Sequence, residues 1–210
     1  MFDDRYIFMT GAPGSKWSAV SSYIYHSPDI DRSDYTETRC HYNATWDSDP
    51  VLGHRGAYWG PGMEFGKSFL RLPKISKTQI EAEFDKPFAG KGTKIIRSHI
   101  FSHHLDFLKQ TWPDVPIVMV YRTNDACLGW WIRCGQFNMS YPNYQYYSNL
   151  EMMSMHIDQQ NQDILDFAAR NNLGFDVRDN FHLCETLKIA PPPEDFVHQY
   201  QAHDIQVAVA

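Results

Sequence analysis

The chain has 210 residues, of which 43% are hydrophobic, 21% charged and 15% aromatic; this is enough apolar material for one packed domain and excludes wholesale disorder. Its formal net charge of −6 comes without a basic stripe, which argues against general duplex nucleic-acid binding. The longest apolar runs, such as Pro116 to Tyr121, fall far short of the ~20 residues that cross a bilayer, so no membrane span is expected. The opening Met1-Phe-Asp-Asp-Arg-Tyr places acids before any apolar stretch, so no secretory signal is read and a cytoplasmic location is expected. Cys40, Cys127, Cys134 and Cys184 form no CxxC pair, the pattern of reduced thiols without a zinc site.

Residues 5–10 (RYIFMT) read as a strand, closed by Gly-Ala-Pro-Gly and followed by a helix over 17–25. Residues 27–74 are rich in Asp, Gly, Pro, Tyr and His without steady periodicity, and read as a long, loop-rich excursion outside the core scaffold. A helix is expected over 75–85, a short buried strand over 94–97 and a helix over 101–110. Pro116 to Tyr121 (PIVMVY) is the best strand in the chain, with a helix after it over 125–136. Apolar spacing then gives one long helix over 150–171, a possible strand at 173–177, a helical piece at 183–189 and a final apolar run at 205–209. Strands alternating with helices predict an α/β domain in three layers, a parallel sheet flanked by helices, with ligands at the carboxyl ends of the strands.

The loop Gly11-Ala12-Pro13-Gly14-Ser15-Lys16-Trp17-Ser18 lies between a strand and a helix. Bare amides and the helix dipole favour an anion there; Lys16 adds a point charge, and Ser15 and Ser18 add hydroxyl donors. A plain tight turn is the alternative. Against the Walker pattern GxxxxGK[ST], Gly11 to Lys16 is one residue short, Trp17 replaces the magnesium-binding hydroxyl, and the strand PIVMVY leads into Arg122 and not into an aspartate.

The segments IFMTGAPGSKWS, KIIRSHI and PIVMVYRTNDACLGWW, in this order, resemble the sulfotransferases that use 3′-phosphoadenosine 5′-phosphosulfate (PAPS). The resemblance implies a fold related to the P-loop kinases and covers residues 5–25 and 93–135. It assigns Gly11 and Pro13 to Ser18 to the phosphosulfate loop, and Arg97-Ser98-His99 to the segment carrying the catalytic base. It further assigns Arg122 to the arginine that binds the 3′-phosphate, and Gly129 to the position of a serine that does the same. The sequence departs from the family pattern at Gly14 and Lys16, where the family has Lys and Gly, and at Trp17, where it has threonine. No Arg-Lys-Gly segment stands near the C-terminus, so part of the 3′-phosphate site is missing or rebuilt.

The reaction implied is transfer of a sulfuryl group from PAPS, as co-substrate, to a hydroxyl or amine of a small-molecule or glycan acceptor, with no metal required. His99 would take the acceptor proton; Lys16 and the loop amides would hold charge on the sulfonate and the leaving phosphate. Arg97 would support either, or make an ion pair of its own. Trp17 could stack on adenine or pack internally. His99, His103 and His104 have no nearby cysteine or carboxylate in the sequence that would complete a metal site. Trp46, Tyr58, Trp59 and the run 141–147 (YPNYQYY) could wall an acceptor pocket or form a homo-oligomer contact. A magnesium-dependent kinase and a non-catalytic assembly module on the same fold remain alternatives.

Overall fold

The computed structural model describes residues 5–43, 51–133, 149–176, 180–194, 196 and 204–210. Along the chain these form β1 (Tyr6–Gly11), α1 (Trp17–Tyr25), β2 (Cys40–Asn43), β3 (Val51–Arg55), α2 (Lys77–Asp85), β4 (Lys94–Arg97), α3 (Leu105–Thr111), β5 (Ile117–Tyr121), α4 (Asn124–Arg133), α5 (Leu150–Arg170), α6 (Asn180–Leu187) and β6 (Gln206–Val209). A 3-10 turn over His99–His104 leads from β4 into α3.

One four-stranded sheet has the order β4-β1-β5-β6, and β2 pairs with β3 in a separate hairpin. β1 is parallel to both neighbours, while β6 is antiparallel to β5, with Tyr121 opposite Gln206 and Val118 opposite Val209. The sheet is therefore mixed, which corrects the all-parallel expectation. The last strand starts beside the carboxyl end of β5 and runs back along it, which needs no crossover helix. Among the described residues of the strand expected at 173–177, the pairing is one bridge, Asp176 to Val207.

Alternating residues of the strands feed two cores, one on each face of the sheet. Ile7, Met9, Ile95, Val118 and Val120 pack against Val20 and Ile24 of α1 and Leu183 and Leu187 of α6. Tyr6, Phe8, Ile96, Ile117 and Met119 pack against α2, α3 and α5 through Phe84, Leu108, Ile157 and Phe167. Phe8 meets Phe101 and Trp112 edge-on, with ring centroids 5.6 and 5.4 Å apart, the arrangement that aromatic quadrupoles favour. No helix among the described residues is long and apolar enough to cross a membrane.

The path between β1 and β4 explains how helices come to lie on both faces. After α1 the chain touches the sheet beyond β4 through an isolated parallel bridge of Ile30 with Thr93. It then returns to β4 by way of α2, on the opposite face. Right-handed crossovers running in opposite directions place their helices on opposite faces.

The described residues of 27–74 contribute more to the core than their composition suggests. Trp59, Phe69 and Leu72 are in the core beneath α2, and the Trp59 indole donates to the Glu83 carbonyl at 2.9 Å. The fully buried Arg97 of β4 ties this segment down. Its guanidinium donates to the carbonyls of Arg55 and Ala57 and, at 3.1 Å, to the Ser21 hydroxyl of α1. It also lies 5.0 and 4.5 Å from the ring centres of Tyr25 and Tyr58. Buried Asp34 completes the group by accepting from the Tyr25 hydroxyl and the Ala57 amide, at 2.9 and 2.8 Å. Burial pushes the Asp34 carboxyl up and the Arg97 charge opposes that shift.

Arg97→Ala is expected to cost about 3–5 kcal/mol of unfolding free energy, because it leaves a buried carboxylate without its countercharge. Asp34→Asn in the same chain should recover part of that loss. Urea denaturation measures both, and a loss under about 1 kcal/mol for the single variant would contradict the anchoring role.

Candidate anion and proton-transfer site

The carboxyl ends of β1, β4 and β5 bring three separated parts of the sequence together. β1 ends at Gly11, where there is no room for a side chain: a Cβ would stand 2.6 Å from Ser15 Oγ and 2.8 Å from the Val120 carbonyl of β5. The loop then folds back through a hydrogen bond from the Ser15 amide to the Ala12 carbonyl (3.0 Å). Gly14 takes a φ of +82°, and a Cβ there would lie 2.1 Å from the Cys127 carbonyl of α4. Only glycine allows both that backbone conformation and that approach. Lys16 is also left-handed, at φ 60°, and begins α1.

No side chain caps the N-terminus of α1, and its first turn carries no acid. The Ser15 hydroxyl is buried without a hydrogen-bond partner. An uncapped helix start and an unsatisfied hydroxyl in the loop before it are complementary to an anion. Pro13 is buried in the same turn. The Lys16 ammonium lies 4.7 Å from the ring centre of Trp130 on α4, which holds a cation at the mouth of the loop. The Ser18 hydroxyl is paired with Tyr58 Oη at 2.8 Å. Trp17 is only 4% exposed and packs on Tyr58 and His99, with ring centres 5.0 and 4.4 Å away. Its indole is thus a packing residue of the inner wall.

His99 follows β4 by two residues and reaches across to β1. Its Nδ1 lies 2.6 Å from the Gly11 carbonyl. A carbonyl only accepts, so Nδ1 carries the proton and Nε2 keeps a free lone pair. The His99 backbone is fixed independently, since its carbonyl accepts from Ser102 Oγ at 2.8 Å and from Gln160 Nε2 of α5 at 2.9 Å. Burial lowers the imidazole to about 4, against the opposing effect of the Gly11 hydrogen bond. The ring is therefore a neutral acceptor throughout the neutral range.

Arg122 follows β5 directly and reaches the loop from the other side of β1. Its Nη1 donates to the Gly14 carbonyl at 2.8 Å. Its Nε donates to Asp204 Oδ2 at 2.8 Å, and Nη2 donates to the same oxygen. The Arg122 carbonyl accepts from Asn161 Nδ2 of α5 at 2.9 Å. Gly129 sits on the exposed side of α4, with open space where a side chain would project.

The structure thus gathers Gly11, Pro13, Gly14, Ser15, Lys16, His99 and Arg122 around one loop. It separates Arg97 from them. The guanidinium is used by backbone carbonyls and Ser21 on the α1 face, with the Tyr58 ring packed on both it and His99; these contacts are structural and lend no support to the catalytic role expected of Arg97. Tyr58 and Trp59 are likewise core residues, 5% and 1% exposed, and not walls of an acceptor pocket. Trp46, Cys134 and the run 141–147 lie outside the described residues. His103 pairs with Asp163 at 2.5 Å.

Two participants escaped sequence reading. Asp204 pairs with an arginine 82 positions earlier, and Gln160 reaches His99 across 61 positions; neither pairing leaves a local pattern. Comparison with known proteins finds no matching family model, no matching curated protein and no matching solved structure.

The buried histidines make stability depend on pH. His156 on α5 is lowered to about 3, again by burial first, beside His99 at about 4. In the unfolded chain both take up protons near 6.5. Stability from these groups is complete above about 6.5 and is lost as pH falls toward 4, because the unfolded state binds the protons first. The thermal midpoint should fall across that interval, and His99→Gln should flatten the fall. An unchanged pH profile in the variant would contradict the buried, neutral His99.

Proposed function

We propose that this site transfers a sulfuryl group from 3′-phosphoadenosine 5′-phosphosulfate to a hydroxyl or amine. One observation carries the reading: Gly11 both opens the anion loop and accepts the Nδ1–H of His99. The base and the anion cradle are therefore built on the same residue. The wider reading of the sheet as that of the P-loop kinases and sulfotransferases is supported by β1 lying between β4 and β5, with His99 following one neighbour and Arg122 the other.

The acceptor O–H or N–H would donate to His99 Nε2. As the acceptor atom bonds to sulfur, Nε2 takes the proton and the bond from sulfur to the bridging phosphate oxygen breaks. The electron pair leaves with adenosine 3′,5′-bisphosphate. The uncapped α1 terminus, Ser15 Oγ and the Lys16 ammonium would stabilise the charge that grows on the 5′-phosphate. Gly129 supplies no hydroxyl for the 3′-phosphate, so Arg122 would carry that contact.

Sulfuryl transfer is favoured over magnesium-dependent phosphoryl transfer by the donor set. Trp17 stands where a Walker loop has its magnesium-binding hydroxyl, and β5 leads into Arg122 and not into an aspartate.

The test is calorimetric titration of the whole chain with adenosine 3′,5′-bisphosphate, adenosine 5′-monophosphate, and ATP with magnesium. The bisphosphate should bind at micromolar strength, and Lys16→Ala should weaken it by about tenfold, the loss of one charge-assisted contact. Binding of ATP with magnesium in preference to the bisphosphate would move the assignment to a kinase. Silence from all three in folded protein would leave an assembly module.

A further inference from the structure

The environment of Arg122 carries an inference that rests on this nucleotide-binding reading and extends it. The arginine side chain is 8% exposed and the Asp204 side chain 50% exposed. A buried guanidinium needs an anion, and this one holds a carboxylate that remains half in solvent. Its other contacts, Nη1 to the Gly14 carbonyl and the backbone carbonyl to Asn161 and Cys127, do not involve Asp204. The edge formed by Nε and Nη2 can therefore exchange its anion without disturbing the loop. Chain geometry brings Asp204 there: β6 runs antiparallel to β5 with Gln206 opposite Tyr121, so the residues just before β6 lie level with Arg122. Although burial pushes the Asp204 carboxyl up, Arg122 first, then its own backbone amide and Lys16, outweigh that and hold it below the usual carboxylate value.

We propose that Asp204 is a specificity-determining placeholder, a carboxylate that fills the outer edge of Arg122 until a phosphate group of the ligand displaces it. A planar guanidinium fork binds phosphate oxygens through two parallel charge-assisted bonds. A near-dianionic phosphate competes well against a tethered monoanion, and a singly charged group competes poorly. The placeholder thus restricts the site to ligands with a second phosphate far enough from the first to reach Arg122 while the first occupies the α1 terminus.

Asp204→Asn tests the placeholder and retains an oxygen that can accept from Arg122. Thermal melts with inorganic phosphate, and calorimetry with adenosine 3′,5′-bisphosphate and adenosine 5′-monophosphate, would compare wild type, Asp204→Asn and Asp204→Asn/Arg122→Gln. Asp204→Asn should bind the bisphosphate about tenfold more tightly, with the 5′-monophosphate unchanged and with a larger stabilisation by phosphate. Both gains should vanish in the double variant. In the wild-type protein, the Arg122 Nε–H resonance should shift with the bisphosphate and not with the monophosphate, which reads the exchange without a substitution. A phosphate gain in Asp204→Asn without nucleotide binding by any of the proteins would keep the placeholder and remove the nucleotide reading. Bisphosphate binding that is no tighter in Asp204→Asn, or an Nε–H resonance that the bound bisphosphate leaves in place, would overturn the placeholder and keep the nucleotide reading.

Discussion

The absence of a side chain at Gly11 is the constraint on which the candidate site depends. The carbonyl of Val120 and the hydroxyl of Ser15 stand where any Cβ would project, so the end of β1 can lie tight against β5 only as glycine. The same residue's carbonyl then orients His99. A single substitution there would displace the loop, the tautomer-setting acceptor and the contact to the neighbouring strand together. The close approach of Gly14 to α4 repeats the device on the outer side. Between them, two glycines fix a loop that has few other backbone hydrogen bonds to hold its shape.

The electrostatics of the site are spare. Lys16 and the open end of α1 supply positive potential at the loop, while Arg122 meets it already neutralised by Asp204. The chain as a whole is acidic, at −6, so attraction of an anionic ligand is local to this edge of the sheet and fades within roughly 10 Å at moderate salt. His99 adds no charge, because burial keeps it neutral. Its contribution is an oriented lone pair. In the proposed reaction the neutral base and the anion loop would be complementary in role.

Much of the framework was legible from residue pattern. The runs RYIFMT, KIIR and PIVMVY became the three parallel strands, and the helix over 17–25 matched its apolar spacing, because strongly periodic segments carry their own local signal. The orientation of β6 was not legible, since an apolar run says nothing of its direction. The 27–74 stretch was misread as lying outside the core. Its Trp59, Phe69 and Leu72 are scattered among glycines and prolines, and their burial is decided by the distant β4 and α2. At the site, the loop glycines and His99 were visible as motifs. The structural use of Arg97 was not, because the carbonyls that bind it belong to the loop segment whose path the pattern did not show.

The central claim is that His99 presents a free Nε2 because Gly11 holds its Nδ1–H. Nitrogen-15 NMR of the imidazole, recorded from pH 8 down to about 4, measures this most directly. The account predicts a pyrrole-type Nδ1 and a pyridine-type Nε2 that persist well below the ordinary histidine range, with the Nε2 resonance moving when a sulfuryl acceptor is added to the complex with adenosine 3′,5′-bisphosphate. A proton on Nε2 at neutral pH, or an imidazolium formed near 6.5, would contradict it.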